Sequence, residues 1–130
     1  LIKEDLIKYW IQSSDDDYVT MKNLYKSKDY VWTLFMGHLV IEKLLKAYYV
    51  KIIDEDVPFI HDLLRIAKKI GIEMNEEQMD IFDEITTFNI KARYDDYKQS
   101  FRNVCNSEFV KQKVSMIKEV RECLKKMLKK

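Results

Sequence analysis

The sequence predicts an all-α fold: one domain, residues 1–130, forming an up-and-down bundle of four to five helices around a mostly apolar second helix. Three observations predict it. Two Gly and one Pro leave few places for hairpins or bulges, which argues against an all-β chain. Apolar residues recur at steps of three and four over most of the length. The segments between these stretches are short, which favours antiparallel neighbours. A chain of 130 residues also buries a core without disulfide or metal staples.

The first helix is predicted from about Lys3 to Lys26, with Leu6, Trp10, Ser14, Asp17, Tyr18, Met21, Leu24 and Tyr25 as its inward stripe. Ser14 and Asp17 interrupt that stripe with polar groups. A break at Ser27-Lys28 follows, with Ser27 or Asp29 placed to cap the next helix. The second helix, Asp29 to about Ile53, carries Val31, Leu34, Leu39, Ile41, Leu44, Tyr48 and Val50 on nearly every side, so neighbours must cover several of its faces. Pro58 marks a connection. A short third helix is expected over about Ile60 to Ile70, stopped by Gly71. A fourth begins at Asn75, where Asn-Glu-Glu-Gln has the form of a capping box, and runs through Ala92. Asp95 to Asn106 reads as a polar and aromatic loop with a short helical turn. The last helix starts near Asn106 or Ser107 and buries Val110, Val114, Ile117, Val120, Leu124 and Met127.

The 23 basic and 22 acidic residues nearly cancel, so attraction of the whole molecule to nucleic acid or membrane is not indicated. Between Lys111 and Lys130, seven Lys and one Arg face only Glu119 and Glu122. That end reads as a solvated face whose lysines complement the last helix's negative pole, or else as an RNA- or partner-binding patch. Cys105 and Cys123 have no metal or redox spacing and read as reduced thiols. No secretory signal and no apolar run long enough to span a bilayer is present, and the expected location is the cytoplasm.

The chemistry-bearing residues are few. His38, Glu42 and Lys46 step by four and form one column on the central helix. Either other side chains satisfy this column, Arg93 or Asp17 among them, or it faces a groove completed by a ligand or a second subunit. His61, after the only proline, caps the third helix or bonds a carboxylate. His38 and His61 are the only histidines and lack a zinc-binding spacing, so no metal and no cofactor is expected. Glycine-rich phosphate loops are absent as well. Arg93-Tyr94-Asp95-Asp96-Tyr97 either clasps a phosphate or a base, or staples its loop to the bundle by internal pairing.

Taken together these residues resemble the HEPN family of small helical bundles. The matching pieces are Trp10…Ser14-x-x-Asp17-Tyr18, Phe35-x-x-His38-x-x-x-Glu42-Lys43-x-x-Lys46-Ala47, Pro58-x-x-His61-Asp62-Leu63 and Ala92-Arg93-Tyr94-Asp95. The resemblance implies a prokaryotic protein, a homodimer, and a toxin–antitoxin-like pairing with a small MNT-type nucleotidyltransferase, or a role in nucleotide binding. On that reading Glu42, Lys46, His61, Arg93 and Tyr94 line the site. The cations meet phosphate, Tyr94 stacks, and Glu42 orients the cations. Ribonuclease toxins of the family carry Arg, four to six residues, then His. None of Arg65, Arg93, Arg102 and Arg121 is followed by His at that spacing, so the expectation is a non-catalytic module. The alternatives are a ribonuclease with a degenerate site and a purely structural dimerisation domain. RNA remains a partner that the charge balance does not indicate. The family pattern often places proline after Arg-Tyr, where this chain has Asp95.

Overall fold

The computed structural model describes residues 2–130. Among them lie six helices and no strand: α1 (Lys3–Lys26), α2 (Tyr30–Ile52), α3 (Leu63–Ile70), α4 (Glu76–Arg93), α5 (Asp95–Val104) and α6 (Ser107–Lys129). The all-helical class is as the periodicity predicts, but there are six helices rather than four or five. Helix α5 occupies the stretch expected to be a loop with a turn. Its first turn carries Asp95 and Asp96, which suit the positive pole of a helix. Phe101 is buried and stacks on Phe88 of α4 with ring centroids 5.9 Å apart. One deeply buried residue in a polar decapeptide is a weak periodic signal.

Helix α2 is the hub. It buries thirteen residues and touches all five other helices. Along α1, Trp10 reaches Lys46, Ser14 bonds the Val40 carbonyl, and Met21 lies beside Gly37, so α1 and α2 run antiparallel. Helix α6 runs parallel to α2: Ile117 packs at Gly37, and the Lys51 ammonium donates to the Leu128 carbonyl. The Ile117 Cδ1 methyl occupies the space that a Cβ on Gly37 would take.

The helix ends follow local chemistry with one surprise. Gly71 closes α3 at φ 90°, and the Asn75–Gln78 capping box opens α4 with both reciprocal bonds. Between α1 and α2, however, Lys28 takes the left-handed conformation at φ 64°. Its amide donates to the Tyr25 carbonyl, and the Asp29 amide donates to Leu24, the bond pair that satisfies the last carbonyls of α1. Neither Ser27 nor Asp29 caps α2 through its side chain. Helix α3 starts at Leu63, three residues later than expected, because Asp62 is its N-cap and accepts from the Arg65 amide. Thr86 of α4 fixes that start by accepting the Leu63 amide at 3.0 Å.

Candidate functional site

The polar column of α2 sits deep in the bundle. His38 is wholly buried, Glu42 is 4% exposed and Lys46 is 7% exposed. An unpartnered buried carboxylate is costly, and Glu42 has partners on both oxygens. Its Oε2 accepts from Lys46 Nζ at 3.0 Å, and its Oε1 accepts from His61 Nδ1 at 2.9 Å. His38 Nε2 lies 3.4 Å from the same Oε1 and donates to the His61 carbonyl at 3.1 Å. The column is therefore paired with itself and with His61. Arg93 and Asp17, the partners considered from the sequence, are elsewhere: Asp17 pairs with Lys43 at 2.6 Å.

His61 is pinned twice, through its carbonyl by His38 and through its ring by Glu42. The side chain is nevertheless 60% exposed. With Nδ1–H directed at Glu42, a neutral ring presents the Nε2 lone pair away from the carboxylate. Burial, the largest influence, pushes the His38 pKa below its ordinary 6.5; the nearby charges of His61 and Arg93 lower it further, against the opposing pull of the His61 carbonyl and Glu42. His38 is accordingly the neutral Nε2–H form, with a buried Nδ1 that has no protein partner.

Arg93 ends α4, and Tyr94 is at once the C-cap of α4 and the N-cap of α5. The Arg93 guanidinium lies 5.5 Å from the Tyr94 ring, and its Nε donates to the Asn89 carbonyl at 3.3 Å. Among the described residues no carboxylate comes within ion-pairing distance of Arg93; the adjacent Asp95 pairs with Lys98 instead. The loop is not stapled through this arginine. Tyr94 is 55% exposed. The structure thus groups Glu42, Lys46 and His61 by direct bonds, while Arg93 and Tyr94 contact each other and, among the described residues, no hydrogen bond or ion pair joins them to that cluster.

Two concavities lie near these residues. One, of about 460 Å³, runs along Asp62, Leu64, Arg65, Lys68 and Lys69, all from α3 and its cap, and a surface with a single wall does not enclose a ligand. The other, of about 270 Å³, lies where α1, the Lys46 end of α2 and the 55–59 loop meet. Trp10 and Phe59 line it; sequence reasoning gave Trp10 only a core role and passed over Phe59. The Trp10–Lys46 contact was legible only as two residues on facing helices. Among the described residues no cluster of His, Cys, Asp and Glu is arranged to hold a metal ion.

An antiparallel helical hairpin, a loop histidine bonded to a buried Glu–Lys pair on its second helix, and an Arg-Tyr corner define the class. Residues 7–128 match the family model of the HEPN domain, nearly the whole chain, and the protein belongs to that family. No curated protein and no solved structure matches the chain. Among the described residues no helix is long and apolar enough to cross a membrane.

Proposed function

We propose that this chain is a non-catalytic HEPN module that binds a nucleotide through phosphate at the corner formed by Arg93, Tyr94 and the exposed edge of His61. The observation that carries the reading is the exposed Arg93 guanidinium, which has no carboxylate partner although acidic residues follow it in sequence. A guanidinium fork matches phosphate geometry, and an exposed ring beside it offers a stacking face. Glu42 and Lys46 hold His61 in place from within, as a charge-balanced support. The homodimer and the MNT-type nucleotidyltransferase partner implied by family membership belong to the same proposal, since a nucleotide held here is the kind of molecule such an enzyme handles.

One observation favours a second reading, metal-free cleavage of RNA. A buried carboxylate that fixes Nδ1–H and leaves Nε2 facing solvent is the arrangement of a general base. His61 would take the ribose 2′-hydroxyl proton, and the oxygen would attack phosphorus to form a 2′,3′-cyclic phosphate as the 5′-oxygen departs and takes a proton from water, with Arg93 facing the charged phosphate oxygens.

A thermal-shift titration with AMP, ATP, GTP and a short RNA, with wild type beside Arg93→Ala and Glu42→Gln, tests the first reading. A ligand at about a hundred times its dissociation constant adds roughly 2.7 kcal/mol of stability. The expected result is a shift for a nucleotide that disappears in Arg93→Ala. No shift with any ligand, while both variants melt earlier, would make the cluster internal architecture alone. The same RNA, incubated with chelator and run on a gel, tests the second: cleavage by wild type and not by His61→Gln supports it, and intact RNA removes it.

A further inference from the structure

We propose that Nε2 of His61 is a nucleophile that takes a phosphoryl group from phosphoramidates, so that the chain carries an Nε2-phosphohistidine at this position. Two features set this ring apart. Its Nδ1 donates to Glu42 Oε1 at 2.9 Å, and its side chain is nevertheless 60% exposed. The two nitrogens lie on different edges of the imidazole, so a bond from Nδ1 into the bundle leaves Nε2 on the outer side. Among the described residues nothing hydrogen-bonds that nitrogen.

The ring is held in place. His38 Nε2 donates to the His61 carbonyl at 3.1 Å, and two residues on the Leu63 amide donates to Thr86 at 3.0 Å. Glu42 is fixed in turn, since its second oxygen accepts from Lys46 Nζ at 3.0 Å and the residue is 4% exposed. The hydrogen bond at one ring nitrogen decides which nitrogen carries the proton, so Glu42 keeps the proton on Nδ1 and the lone pair on Nε2. A reactive atom oriented by a buried third group is the arrangement of an activated nucleophile. His38 lacks these features: it is wholly buried, and its Nε2 is occupied by the His61 carbonyl.

Phosphoryl transfer suits so open a nitrogen better than acyl transfer does. An acyl acceptor needs donors fixed on a developing oxyanion. A phosphoryl group passes through a loose transition state whose charge is spread over its outer oxygens, and positioning supplies much of the rate. The Nε2 lone pair attacks phosphorus and the P–N bond of the donor breaks. Its electron pair leaves with ammonia, which carries off the protons of the donor's ammonium form. The ring keeps its proton on Nδ1 and becomes a phosphorylated imidazolium, whose new positive charge faces Glu42. The bond broken and the bond formed are both P–N, so no other co-reactant is required. The step needs neither a nucleotide nor Arg93, and it stands apart from nucleotide binding at the phosphate corner although both use the same ring.

The test compares the folded protein with the same protein in urea. Both are incubated with potassium phosphoramidate at mildly alkaline pH, where N-phosphohistidine survives, and followed by intact mass and phosphorus NMR. The expected result is a single phosphoryl group on the folded chain, mapped to His61 and lost on brief acid treatment. His61 reacts at least about tenfold faster in the folded chain than in the unfolded one, the contribution of one hydrogen bond to a charged partner that strengthens as the ring becomes cationic. His61→Gln removes the mark, and Glu42→Gln brings the rate down toward that of the unfolded chain. Where Glu42→Gln does not fold, the comparison in wild type decides alone. Arg93→Ala keeps the rate advantage, which separates this result from any failure at the phosphate corner. Equal or slower labelling of His61 in the folded chain, labelling of His38 in its place, or an advantage that disappears without Arg93 would overturn the inference.

Discussion

Glu42 is the centre of the cluster, because it is buried, charged and shared by three cations or potential cations. Replacing one member of a buried pair leaves the other uncompensated, at about 3–5 kcal/mol. Glu42→Gln should therefore lose stability on that order in urea denaturation, and Glu42→Gln with Lys46→Met should recover part of it by removing the orphaned ammonium. His38 gives a pH signature. Its folded pKa lies below 6.5 because burial disfavours the charged ring, while the unfolded chain titrates near 6.5. The unfolded state thus binds more protons below that pH, and stability falls as pH drops through it, by up to about 1.4 kcal/mol per pH unit. His38→Gln should flatten that limb, as measured by denaturation midpoints between neutral and mildly acidic pH. The cysteines behave oppositely to each other: burial pushes the Cys105 thiol up to about 11, against the nearby Lys91, whereas Cys123 is exposed. A maleimide should label Cys123 in the folded protein and Cys105 only on unfolding, with intact mass as the readout. The i, i+4 column was legible as a column, but its closure by His61 was not. That contact joins residues nineteen apart through a loop, and side-chain periodicity carries no information about where a loop histidine folds back.

At the scale of elements, the α1–α2 turn is the place where sequence and backbone disagree. A lysine in the left-handed region is strained by its Cβ, and glycine is not. Lys28→Gly should raise stability by about 1 kcal/mol in chemical denaturation, with no change in far-ultraviolet circular dichroism. The ends of α3 and α4 were legible because Gly71 and the Asn75–Gln78 pair act through local bonds. The break at Ser27-Lys28 was legible, but its geometry was not, since lysine is not a residue that announces a left-handed cap. Helix α5 was missed for a related reason. Tyr97, Phe101 and Val104 do step by four and three, but only Phe101 is deeply buried, so the pattern stood out little from a polar loop. The consequence for the site is direct: with α5 a helix, Tyr94 becomes the single residue joining two helices, and the Arg93 side chain is held at a corner.

On the scale of the whole molecule, one apolar helix acts as the axis and its polar side carries the Glu42 cluster. Helix α1 covers one flank, α4 and α6 the others, and α3 carries His61 onto the column at its N-terminal approach. Long-range polar contacts tie α6 back to α1, where Asp15 bonds Arg121 at 3.1 Å and Lys125 at 2.6 Å. Those pairs are partly exposed, and part of the basic C-terminal helix is thereby engaged within the bundle. The fold class was written in the helical periods of the sequence. The division of the polar residues into buried support and exposed corner was not, because it depends on how five helices pack around the sixth.

In the proposed reading, the exposed edge of His61, held by Glu42, and the guanidinium of Arg93 together meet phosphate. The most direct measurement is a titration of the ¹⁵N-histidine-labelled protein with AMP, following the imidazole nitrogens by NMR. The expected result is that the His61 Nε2 resonance moves and saturates, that the buried His38 Nδ1 responds far less, and that both stay still in Arg93→Ala. Unchanged His61 resonances at saturating AMP, or a shift that persists without Arg93, would contradict it.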